Sequence, residues 1–185
     1  MDKFDLIREA IKNIIENSEI GTDPAHSIST HKWLLKLCPE ASEELQIAAL
    51  GHDIERGVNP RVGKKNFSSY EEYKVEHMKK SAEIIGEIMK KFDYSGDSIS
   101  KVQDLVGKHE VGGDKESDYL KDADSISYFE SNIILYYKRR GSDGTKFKIN
   151  YMYVRASERA KKFIRGIKYP SEIQNIFDEA IKESL

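Results

Sequence analysis

Ala48-Ala49-Leu50-Gly51-His52-Asp53-Ile54 is the stretch on which the reading of this chain turns. Leu45, Ala48, Ala49, His52 and Asp53 recur at i, i+3, i+4, i+7 and i+8, the spacing of the buried stripe of an amphipathic helix. An imidazole and a carboxylate therefore stand where apolar side chains belong. Burying the pair without partners costs roughly several kcal/mol, and no compensating charge is adjacent in sequence. A metal ion would remove that cost. The alternative is a helix end at which His52 and Asp53 turn to water, and the rest of the chain has to decide between the two.

Ser42 can cap this helix, with Glu43 and Glu44 complementing the dipole in its first turn, and Gly57-Val58-Asn59-Pro60 breaks the chain after it. Upstream, Phe4, Ile7, Ile11, Ile14 and Ile15 repeat at helical period until Ile20-Gly21. Asp23-Pro24 then reads as an N-cap followed by proline at the first helical position, opening a helix to about Leu37. Along it His26, Thr30, Trp33, Leu34 and Leu37 share one stripe. His31 lies about 140° round from His26 and is expected on the surface.

Downstream, the loop from Arg61 to Ser68 carries Arg61, Lys64 and Lys65, either as a solvated connection or as an anion-binding rim. Ser69 with Glu72 forms a capping box, and Tyr70, Tyr73, His77, Ser81, Ile84, Ile88 and Phe92 mark the inner face of a long helix. Ile99, Val102, Leu105, Val106 and His109 make another stripe that ends at Gly112-Gly113. Ser117 is expected to cap the next helix, whose inward face carries Leu120, Ala123, Asp124, Ser127 and Tyr128. Asp122, about 200° from Asp124, reads as a solvated acid. Gly141-Ser142-Asp143-Gly144 reads as the clearest loop of the second half, before a basic helix from about Lys148 to Arg165 and a last helix capped by Ser171. Arg155, Arg159, Lys161, Lys162 and Arg165 read mostly as a solvated face, with Arg155 early enough in its helix to touch a ligand.

No convincing run of strands interrupts this pattern, so the expected class is all-α, a compact bundle of about seven or eight helices. With 185 residues, 38% hydrophobic and 34% charged, the chain fits one domain, 1–185, with enough apolar material for a core. Its motif-bearing part spans about 23–137, with C-terminal helices over 147–184 packed on it. A net charge of −2 gives no reason to expect nucleic-acid binding. The single cysteine, Cys38, excludes an internal disulfide framework and fits a reducing compartment. Acids near Met1 in place of a basic leader, and no apolar run of membrane-spanning length, point to a cytoplasmic protein without a membrane partner. The oligomeric state is left open.

Four of the five histidines, together with Asp53 and Asp124, thus fall on the inner stripes of five helices. Core histidines bonded to backbone remain an alternative for each one singly, but not readily for the set. The ordered parts Asp23-Pro24-Ala25-His26-Ser27, Ala48 to Ile54, His77 with Ser81-Ala82, Lys108-His109-Glu110 and Asp122-Ala123-Asp124-Ser125 resemble the HD superfamily of metal-dependent phosphohydrolases, over roughly Asp23 to Tyr137. That resemblance implies an HD-type helical domain in which His26, His52, Asp53 and Asp124 hold a first metal. His77 and His109 match the additional histidines of the binuclear branch, where the acid of the His-Asp pair bridges both ions. That branch contains phosphodiesterases and a few mixed-valence di-iron oxygenases. Glu55-Arg56 stands where many members have Gly-Lys, and the Gly-Tyr-Pro signature of cyclic-dinucleotide phosphodiesterases is lacking.

The expected function is hydrolysis of a phosphoric ester in a small phosphorylated compound, a nucleotide above all, with one or two divalent transition-metal ions (Fe, Mn, Co, Ni or Zn). The alternatives are a di-iron oxygenase and a non-catalytic metal-containing ligand sensor. In the hydrolase reading the metals acidify water, Asp53 and Arg56 are catalytic, and Arg56, Lys64, Lys65 and Arg155 bind substrate.

Overall fold

This computed structural model describes residues 2–183. Among them the chain forms α1 (Lys3–Ile15), α2 (Asp23–Leu37), α3 (Glu43–Gly51), α4 (Tyr70–Lys91), α5 (Gly96–Gly107), α6 (Lys115–Ser127), α7 (Ile133–Arg155), α8 (Glu158–Gly166) and α9 (Ser171–Glu183), with no strand. Short 3-10 turns at Ile54–Gly57 and Lys64–Asn66 and a π-helical turn at Tyr128–Asn132 complete the path. The all-α class expected from the sequence is the class observed. Met1, Ser184 and Leu185, where expected domain and helix limits fall, lie outside the described residues. No helix among those described is long and apolar enough to cross a membrane.

The short helix α3 is the axis of the fold. Leu45, Ile47, Ala48, Ala49, Leu50 and Gly51 are all buried, because after Gln46 the helix has no polar side chain to present to water. It packs against α1, α2, α5 and α6, and α4 lies along α5 on one side while α2 lies along α6 on the other. An apolar helix enclosed in this way is held mainly by burial, at about 1.5–3 kcal/mol for each large side chain. Its end is therefore fixed in the middle of the protein, and His52 and Asp53 follow that end directly. The turn after them abuts α1 so closely that a Cβ on Gly57 would stand 2.1 Å from the Ile14 carbonyl oxygen, so glycine is required there.

Ser42 and Ser69 cap α3 and α4 as expected, their hydroxyls accepting from Leu45 N–H and Glu72 N–H. Four local expectations are corrected. Asp23 is the first residue of α2 rather than its cap, and its buried carboxylate accepts instead from the Ser18 hydroxyl at 2.6 Å. Asp114, not Ser117, caps α6, and Ser117 supplies the reciprocal bond of the capping box. Gly141 to Gly144 is not a four-residue loop: the break is confined to Gly141, where φ is 67° and ψ −170°, and the two helical segments of α7 join across it. The kinked chain resumes its helix, and the Thr145 hydroxyl donates to the Gly141 carbonyl. The basic segment from Lys148 to Arg165 is two helices, because Ser157 starts α8 as its cap.

Candidate metal centre

Five elements deliver the cluster. His26 sits in the first turns of α2, His52 and Asp53 follow α3, His77 is midway along α4, His109 lies just past α5, and Asp124 is on α6. All six side chains are buried, the four histidines at 4% exposure or less. His26 Nε2 is 3.3 Å from His52 Nε2 and 3.0 Å from Asp124 Oδ1. Asp53 Oδ2 faces the same two rings, at 3.8 Å from His26 and 3.5 Å from His52. The other oxygen of Asp53 points the opposite way, 2.9 Å from His77 Nε2 and 3.9 Å from His109 Nε2. His26, His52 and Asp53 form one group that could hold a metal ion, and Asp53, His77 and His109 form a second, with Asp53 common to both.

The far nitrogen of every ring is engaged. His52 Nδ1 and His109 Nδ1 donate to the carbonyls of Ala49 and Val106, at 2.9 and 2.8 Å. His77 Nδ1 donates to Glu55 Oε1 at 2.7 Å. Ser127 gives its proton to the His26 carbonyl, so its oxygen accepts from His26 Nδ1 at 2.8 Å. With each Nδ1 engaged outside the cluster, the four Nε2 atoms converge on one another and on two carboxylates, and His77 Nε2 bonds to Asp53 Oδ1. Buried imidazoles held through Nδ1 are the usual arrangement around a metal. The donor set of imidazole and carboxylate suits first-row transition ions. The residues therefore fit one or two such ions.

Two arginines flank the carboxylates. Burial alone would raise the Asp53 carboxyl, but Arg56 first, then His52 and His77, hold it well below the usual carboxylate range. Arg56 Nη1 donates to Asp53 Oδ2 and lies 3.5 Å from Asp23 Oδ1. It stands on the 3-10 turn after α3, not on the helix face of His52, and it pairs with neither Glu55 nor Glu110. Arg155 donates to Asp124 and to Glu110 Oε2, which overcomes the effect of burial and depresses Asp124 well below its ordinary value and Glu110 to about 2. His109 is pushed down to about 4 by burial and by the neighbouring His52.

The cluster opens on a cleft of about 790 Å³, onto which His26, Asp53 and Asp124 face. Arg56, Lys64 and Lys65 stand on its wall, so the loop from Arg61 to Ser68 is a rim of this cleft. Arg155 is not on the wall. It ends α7, is only 10% exposed, and serves as the buried counterion of Asp124 and Glu110 rather than as part of a solvated face.

Two further expectations change. Asp122 is buried, not solvated, and accepts from both the N–H and the hydroxyl of Ser157, which fixes the start of α8. His31 is half-buried rather than on the surface, bonded to Gln46 Oε1 at 3.1 Å and remote from the cluster. Sequence reasoning missed Glu55 and Glu110 as partners of the site, since both look like ordinary helix acids. The signal for Glu55 is its place two residues after Asp53. Nothing in the sequence pairs Glu110 with Arg155.

Residues 7–177 match the model of a family described as "Domain of unknown function (DUF4202)". No curated protein and no solved structure matches the chain.

Proposed function

Because the chain belongs to the family described as a domain of unknown function (DUF4202), its chemistry has to be argued from its own residues, and we propose that it is a metal-dependent phosphohydrolase acting on a small phosphorylated compound such as a nucleotide. The observation that carries this reading is the pair of buried donor groups joined at Asp53, with all four imidazoles locked through Nδ1. The order of His26, His52-Asp53, His77, His109 and Asp124 supports placing the domain in the HD superfamily.

His26, His52, Asp53 and Asp124 would hold a first ion, and Asp53, His77 and His109 a second. Divalent ions held by these residues would supply Lewis-acid chemistry, acidifying water and polarising a phosphoryl oxygen. The chain's own residues supply the rest. Arg56, on the wall of the cleft beside Asp53, is placed to grip two phosphoryl oxygens and to neutralise charge that builds up on them. Lys64 and Lys65 draw the anion in, and Tyr70 and Tyr73 add aromatic rings to the same cleft.

The cationic wall is what favours a hydrolase over an oxygenase with the same donors, which would need no phosphate clamp. Elemental analysis of untagged protein, followed by a phosphoester panel with manganese, iron, cobalt and magnesium, tests the reading. One or two bound ions and metal-dependent release of phosphate are expected. Absence of bound metal overturns it. Dioxygen uptake by the iron form without phosphate release would transfer the site to oxygenase chemistry, and ligand binding without turnover to sensing.

A further inference from the structure

Of the basic side chains that line the cleft, Arg56 and Arg61 pair with carboxylates, Arg56 with Asp53 and Arg61 with Glu19 Oε2 at 3.1 Å. Arg139 donates to the Glu19 carbonyl at 3.4 Å. Lys64, Lys65, Arg140 and Lys148 have no carboxylate within ion-pair distance among the described residues, and three of these four are linked, since Lys64 and Lys148 share Tyr70 and the charge of Arg140 reaches Lys64.

Two of these cations, Lys64 and Lys148, lie against tyrosines instead of acids. Lys64 Nζ lies 4.6 Å from the centre of the Tyr70 ring, and Lys148 Nζ is 3.5 Å from the Tyr70 hydroxyl and 5.7 Å from the centre of Tyr128. Arg140 is the last residue before the kink at Gly141. Like charges held this close oppose one another. Lys64 is lowered by burial, then by Arg56 and Arg140. Lys148 is lowered to about 8, by burial first and also by Arg155 and Arg56, against a raising contribution from Glu110.

Tyr128 adds a second, independent observation. It is 3% exposed, it lines the cleft, and its hydroxyl has no hydrogen-bond partner among the described residues. Buried hydroxyls are nearly always paired, and an unpaired one costs about 1–3 kcal/mol, so a donor left over beside cations that touch no carboxylate points to an anion that completes both. Tyr128 also belongs to the π-helical turn Tyr128–Asn132, an irregularity frequent at functional sites.

From this geometry we infer that Lys64, Arg140, Lys148 and Tyr128 form a second phosphate pocket in the cleft, and that the substrate carries two phosphate groups, one over the histidine–carboxylate cluster and one here. This deepens the phosphohydrolase reading and rests on it for the first of the two phosphates. Three cations and one hydroxyl donor match a phosphate dianion better than a carboxylate, which offers fewer acceptors and half the charge.

The test is calorimetric binding to the metal-loaded full chain, with the bisphosphates of ethane-1,2-diol, butane-1,4-diol and hexane-1,6-diol as probes and butyl phosphate as the single-phosphate reference. Two sites engaged by one molecule should make at least one bisphosphate bind about tenfold or more tightly than butyl phosphate. In Arg140→Ala and in Lys148→Met that ratio should fall toward one. Because the ratio is taken within each variant, a general loss of affinity does not imitate the result. Tyr128→Phe removes a hydroxyl that bonds to none of the described residues, so it should fold with unchanged or higher stability and still lose part of the ratio. A wild-type ratio near one, a ratio that survives in Arg140→Ala and Tyr128→Phe, or no binding of either probe overturns the pocket. A bisphosphate preference without phosphoester turnover would remove the hydrolase reading and leave the pocket. Turnover without the preference would do the reverse.

Discussion

Glu55 Oε1 lies 2.7 Å from His77 Nδ1, and both side chains are 1% exposed. The other carboxylate oxygen accepts from Val62 N–H at 2.9 Å, so one acid orients a candidate ligand and also fixes the chain that leads into the basic rim. Glu55→Gln cannot satisfy both donors, since one of its two positions becomes an N–H₂ facing another N–H. Loss of such a supporting partner costs about 10–100-fold in metal affinity. The loss should fall on the position formed by Asp53, His77 and His109. Competition titration with a chromophoric chelator should find one ion weakened and the other held. Equal affinities in variant and wild type would mean that Glu55 is only a buried packing acid.

Metal uptake should depend on pH in a direction set by His77. Burial would lower this imidazole, but the bonds to Asp53 and Glu55 outweigh it and raise it to about 9. In the metal-free protein the stabilisation that follows from this shift is fully present below the ordinary value of 6.5 and is lost as pH rises through 9. An incoming ion must displace the Nε2 proton, so affinity at this position should rise about tenfold per pH unit up to the neighbourhood of pH 9. Titrations at pH 6, 7 and 8 measure the slope, and a flat profile contradicts it.

Arg155 should matter for stability before it matters for binding. It is the counterion of two buried carboxylates, and removing one partner of a buried ion pair costs about 3–5 kcal/mol. Arg155→Met should lower the urea midpoint of the metal-free protein accordingly. The acid side carries a second signature. Glu110, depressed to about 2, contributes stability that is present above its ordinary 4.5 and lost as pH falls through 2. Without Arg155 that contribution goes, and acid unfolding should begin at higher pH. A wild-type acid midpoint in the variant would show that the pair is not coupled to folding.

Arg56 should matter for turnover. Arg56→Ala and Arg56→Lys, each verified as fully metal-loaded, should lose on the order of 10²-fold in the rate of phosphate release, comparable to the removal of one oriented donor in a transition state. Lysine should not restore the rate, because it cannot offer two parallel N–H donors. Wild-type rates in both variants would take Arg56 out of the chemistry.

What the sequence revealed, and what it hid, divides along the range of the interaction. The periodicity that placed His26, His52, His77, His109 and Asp124 inward is a local property of each helix, and the structure brings those five side chains and Asp53 together. The caps at Ser42 and Ser69 are equally local. Helical periodicity gives only the direction of the Asp122 side chain, and Ser157, the cap of α8 that this carboxylate holds, comes 35 residues later. The contact of Arg155 with Asp124 spans 31 residues and is set by how α7 crosses α6. Gly141-Ser142-Asp143-Gly144 has the composition of a turn, and only the surrounding helix explains why three of its four residues stay helical.

The kink at Gly141 is a matter of handedness, not of room. Nothing lies within 4 Å of where a Cβ would stand, yet φ of 67° with ψ of −170° is a conformation that L-residues essentially never hold. Its mirror image, φ near −67° and ψ near 170°, is an ordinary extended conformation for an L-residue. A D-alanine placed there by chemical synthesis would therefore sit without strain, while L-alanine, smaller than almost any other replacement, would force the helix to re-aim everything on one side of position 141. The course of the chain past Arg140 is thus set by an achiral residue, one of the two glycines of α7, held in a conformation that a side chain of the L hand would oppose.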